Sequence, residues 1–131
     1  MSQSIPLASD VRERFLQAIA EVVPPGRLAE LHFFPPIRQG PIETGVAVVG
    51  AAPEAETDER HVVFMARYRW TRKGPERGKW ESEVIAEADA PLVTVEAVAQ
   101  GVRERANEEF DPERMSGDEA RAILAEAEGR R

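Results

Sequence analysis

In residues 10–23, DVRERFLQAIAEVV, apolar residues recur at helical spacing, so that Val11, Phe15, Ile19, Val22 and Val23 fall on one side of a helix. Ser9 is placed to cap it, and Pro24-Pro25-Gly26 stops it. Residues 27–34, RLAELHFF, fit either a helical turn or a strand. Phe33 and Phe34 before Pro35-Pro36 favour an extended exit, because a residue preceding proline avoids the α region. The β-branched run 42–50, IETGVAVVG, reads as a strand, and the acidic, proline-containing AAPEAETDER after it as an exposed loop.

Two long runs follow, about 61–72 and 79–88, joined by KGPER. Their even positions (Val62, Phe64, Ala66, Tyr68, Trp70, then Trp80, Ser82, Val84, Ala86 and Ala88) form a core face, since side chains alternate along a strand. Arg67, Arg69, Lys79, Glu81, Glu83 and Glu87 take the opposite face, with Val63, Met65 and Ile85 among them. Opposed charges fix the register. If paired numbers sum to 150, Arg69 faces Glu81, Arg67 faces Glu83, Met65 faces Ile85 and Trp70 faces Trp80. A sum of 152 or 148 would set Lys79 against Lys73 or Arg69. The 150 register leaves a loop over 73–77, where Gly74-Pro75 supplies the turn.

Two helices close the chain. One is predicted near 95–109, capped by Thr94. The other is predicted near 117–128 and opens on Ser116-x-x-Glu119, a capping box, with Met115 and Ala120 at the staple positions. The predicted order is α-β-β-β-β-α-α: an α+β domain spanning 1–131, built as a four-stranded antiparallel meander with helices on one face. Residues 1–8 and 129–131 are expected to fray. On element order alone, the strands followed by a helix resemble single-stranded DNA binders of the Whirly and Pur type. The leading helix, curved sheet and acidic balance resemble small bacterial secretion chaperones. No motif carries either resemblance.

Composition changes the picture in three ways. Without cysteine, thiol catalysis, disulfides and cysteine zinc sites are excluded. The formal net charge is −7, which opposes unspecific polyanion binding. Charge is uneven, however: residues 67–84 carry six basic and three acidic side chains, net +3, leaving −10 elsewhere. The 15 arginines against two lysines are what a GC-rich coding sequence produces and carry no functional weight. No apolar run approaches the ~20 residues of a membrane span, and the N-terminus lacks the basic and apolar regions of an export signal, so a cytoplasmic protein is expected.

Candidate chemistry is sparse. His32 sits in an apolar run and reads as a satisfied core or interface residue. His61 follows Asp58 and Glu59, without metal-ligand spacing. Glu43, Glu81 and Glu83 could serve as acid/base carboxylates, but the last two answer arginines across the hairpin. Gly74-x-x-x-Gly78-Lys79 lacks the spacing of a phosphate loop. No catalytic constellation, cofactor or metal is expected.

A strand over 61–72 spans roughly 36 Å, whereas a helix over 95–109 covers about 21 Å. Something else must therefore cover Trp70 and Trp80: another helix, a second subunit or a partner. The expected function is a non-enzymatic protein-interaction module, homodimeric or docking another protein. Its expected contact residues are Tyr68, Trp70 and Trp80 with Arg72, Lys73, Arg77 and Lys79 at the hairpin tip. The alternative is single-stranded nucleic-acid binding through the same basic, aromatic hairpin.

Overall fold

The computed structural model describes residues 2–4, 7–52, 61–90 and 113–130. It is an α+β fold whose strands join in one antiparallel sheet: β1 (Ser2–Ser4), β2 (Leu28–Phe33), β3 (Ile37–Gln39), β4 (Ile42–Ala51), β5 (His61–Thr71), β6 (Trp80–Ala90) and β7 (Glu113–Ser116). The described helices are α1 (Ser9–Ala20) and α2 (Gly117–Gly129), with a 3-10 turn at Pro25–Arg27. The predicted helix at 95–109 with its Thr94 cap lies outside the described residues.

Among the described residues the sheet has seven strands rather than four. Residues 28–39 run as one interrupted strand along β4: β2 pairs with its second half and β3 with its first, on either side of Pro35-Pro36. The Gly40-Pro41 pair then turns the chain within two residues. β5 lies along the other edge of β4, and β6 outside β5. β7 returns to pair with β2, and β1 pairs with β3, so the order departs from a pure meander. The segment 27–34 is thus a 3-10 turn leading into a strand, and residues 2–4, expected to fray, form a short edge strand.

The β5–β6 register is the one the charges select: Arg67 faces Glu83, Arg69 faces Glu81, Met65 faces Ile85 and Trp70 faces Trp80. It holds to the last residue of β5, where the Thr71 amide donates to the carbonyl of Lys79, just before β6, at 2.9 Å. Inside the loop the Arg77 amide donates to the Gly74 carbonyl at 3.1 Å, closing a turn with proline at its second position.

The core forms between one face of the sheet and the two helices. Val11, Phe15, Leu16 and Ile19 of α1 and Ala120 of α2 cluster with Leu31, Phe33, Ala47, Val49, Ala66, Tyr68 and Met115. Burying side chains such as Phe15 or Ile19 stabilises by about 1.5–3 kcal/mol each. Phe15 packs edge-on to Phe33 at 5.9 Å and to Tyr68 at 4.9 Å. Two expectations for α1 need correction. Its N-cap is Ala8, with no side-chain cap, so Ser9 is already helical. Val22 is 58% exposed, because the helix ends at Ala20 and the following turn carries residue 22 off the buried stripe; Val23 remains buried.

Candidate functional site

On the core face of the hairpin, the tryptophans are largely answered from within the chain. Tyr68 stacks on the Trp80 ring at 4.8 Å and 3°, and the Arg14 guanidinium of α1 stands 4.3 Å from the same ring. The cation offers this indole an attraction that a hydrocarbon could not. Trp70 is half-buried, with the Arg72 guanidinium 5.5 Å from its ring. The first helix of the chain, α1, therefore supplies a cover for the tip half. The sequence offers a signal for this: Arg14 flanks the apolar stripe of α1 beside Phe15.

Tyr68 is 1% exposed and belongs to the core rather than to a contact surface. Its hydroxyl donates to Glu43 Oε2 at 2.8 Å, and Arg38 Nε donates to Glu43 Oε1 at 3.1 Å. Burial, then the hydrogen bond to Glu43 and its negative charge, push the phenol pKa far above its usual value. Gly45 makes this arrangement possible: a Cβ there would lie 2.2 Å from the Tyr68 ring, which crosses directly over the glycine. Glu43, a candidate acid/base residue on sequence grounds, is instead a buried acceptor with two donors. Its place is legible in part, since Glu43, Gly45, Ala47 and Val49 alternate onto one face and Arg38 stands opposite across the two-residue turn.

At the tip, Lys73 and Arg77 are exposed, while Arg72 turns back toward Trp70 with its Nε buried and without a hydrogen-bond partner among the described residues. Lys79 reaches along its own chain to Glu81 at 3.4 Å. The tip cations expected to act together are thus divided between loop, indole and strand.

The opposite face of the sheet carries a concavity of about 620 Å³. Half-buried Ile37, Ile42 and Thr44 line one side, and Arg67, Arg69, Glu81 and Glu83 the other. Arg67 donates to Glu83 at 2.6 Å, with both side chains more than half exposed. Farther along this face, towards β7, Glu30 and His32 are buried beside Arg114, which pairs with Glu30. His32 Nε2 is 3.4 Å from Glu30 Oε2 and has no hydrogen-bond partner among the described residues, so at this nitrogen the core histidine is not satisfied as expected. Sequence reasoning misses the Glu30–His32–Arg114 group, because the four residues of β7 carry no alternation that would mark a strand. Among the described residues no cluster of three histidine or acidic side chains could hold a metal ion, and no helix is long and apolar enough to cross a membrane. No family model, curated protein or solved structure matches the chain.

Proposed function

We propose that the chain is a non-enzymatic protein-interaction module that works as a homodimer, and that two copies meet at the second face of the β5–β6 hairpin. The observation that carries this is the charge ladder beside the groove. Arg67, Arg69, Glu81 and Glu83 sum to zero, and to +1 with Lys79 on the same face, on a chain of net −7. Two strongly acidic copies repel over most of their surfaces, and a near-neutral patch with both signs is where repulsion is least. An interface between identical copies must also be self-complementary, and equal numbers of facing arginines and glutamates meet that condition. Half-buried Ile37, Ile42 and Met65 supply apolar surface around the charges.

The alternative, single-stranded nucleic-acid binding, needs open aromatic faces for stacking. It has less support, because Trp80 already carries Tyr68 and Arg14 and Tyr68 is buried. Light scattering on a sizing column tests the homodimer: the expected mass is twice that of the chain at micromolar concentration. A chain that stays monomeric up to about 100 μM, which corresponds to less than roughly 5 to 6 kcal/mol of association, would sink the reading.

A further inference from the structure

The four charges of the ladder are not equally engaged. Arg67 and Glu83 are held to each other at 2.6 Å. Among the described residues Glu81 has only the end of Lys79, at 3.4 Å. Arg69 stands directly opposite Glu81 in the register, yet has neither ion pair nor hydrogen bond among the described residues. It is exposed, beside the half-buried Thr44 to which it is paired on β4. Arg69 and Glu81 are therefore the members of the ladder with capacity left for a second molecule.

Their placement also orients that molecule. The two arginines lie on β5 and the two glutamates on β6, so the face carries a positive column beside a negative one. When two copies pack face to face about a twofold axis, the axis lies in the interface and exchanges positions across itself. An axis crossing the strands would return each column onto itself and set arginine on arginine and glutamate on glutamate. An axis running along the strands, between β5 and β6, exchanges the columns.

We infer that the homodimer forms about such an axis, with Arg69 of each copy taking the Glu81 carboxylate of the other; this rests on the homodimer reading above. Arginine suits the role because its planar fork can bind both carboxylate oxygens at once. Glu81 can keep Lys79 as a second donor, since an ionised carboxylate accepts several hydrogen bonds.

Reciprocal charge reversal tests the inference, read by sedimentation equilibrium over a dilution series. Arg69→Glu alone and Glu81→Arg alone each set like charges against each other twice and are expected to weaken dimerisation on the order of 100-fold. An equimolar mixture of the two variants restores both contacts and is expected to form a heterodimer of near-native affinity. Arg69→Gln, which removes charge without adding repulsion, is expected to weaken the dimer about 10-fold. Both positions are exposed, so circular dichroism should show every variant folded. If the unaltered chain dimerises but the single variants dimerise as tightly, the Arg69–Glu81 exchange is wrong and the homodimer stands. If the singles weaken but their mixture does not recover, the direct contact is likewise overturned. A monomeric unaltered chain overturns the homodimer itself.

Discussion

Tyr68 carries several of the molecule's specific interactions on one side chain. Its ring lies over Gly45, stacks on Trp80 and meets Phe15 edge-on, while its hydroxyl donates to the buried Glu43. A carboxylate taken out of water is costly unless its oxygens are answered, and Tyr68 and Arg38 each answer one. The neutral phenol is therefore part of what makes Glu43 tolerable in the core. Because burial and Glu43 raise the folded pKa above the unfolded value of about 10, the tyrosine's contribution is complete below that pH and is lost as pH rises above it. Tyr68 is the sole tyrosine, so phenolate absorbance reports it alone. That absorbance is expected to appear together with the loss of near-ultraviolet circular dichroism in an alkaline titration. Phenolate forming near pH 10 in a chain that keeps its native dichroism would contradict the buried hydrogen bond.

At the scale of elements, α2 is fixed by its first turn. The Ser116 hydroxyl accepts from the Glu119 amide at 3.1 Å, completing the capping box, and Met115 and Ala120 are both buried at the staple positions. The neighbouring Gly117 is under a harder constraint: a Cβ there would lie 1.8 Å from the Leu28 carbonyl oxygen, which is backbone and cannot swing aside. Arg121 draws the same junction together by donating to the Pro25 and Leu28 carbonyls. Ser116→Ala is expected to cost about 1 kcal/mol. Gly117→Ala must push α2 away from β2 and is expected to cost roughly 3 kcal/mol. Urea midpoints at constant slope compare the two, and equal costs would show that the close approach is not tight. The capping box is legible in the sequence because it is a local pattern of two polar residues three apart. The hairpin register is legible because wrong registers oppose like charges. β1, β3 and β7 are not, since three or four residues with at most one apolar side chain give no alternation to count. The ion pairs are only half legible: register sets Arg69 opposite Glu81, but the Lys79 side chain, two residues away on the same face, reaches that carboxylate instead.

At the scale of the whole molecule, charge and exposed surface favour the same kind of partner. Among the described residues, Val22 is the one large hydrophobic that is strongly exposed, so the proposed association through the second face would lean on charge as well as on half-buried apolar groups. A single-stranded nucleic acid would meet a different balance. The cations of the tip are few against a net charge of −10 outside residues 67–84, and each phosphate contact there must work against that field. Stacking would require a base to displace Arg14 or Tyr68 from Trp80, breaking contacts that tie α1 to the hairpin, or to displace Arg72 from Trp70. A single-stranded oligonucleotide at low ionic strength is therefore expected to leave both tryptophan fluorescence and electrophoretic mobility unchanged. A quench that fades steeply with added salt would mean that the indoles open to bases, and would favour a nucleic-acid surface over the proposed dimer surface.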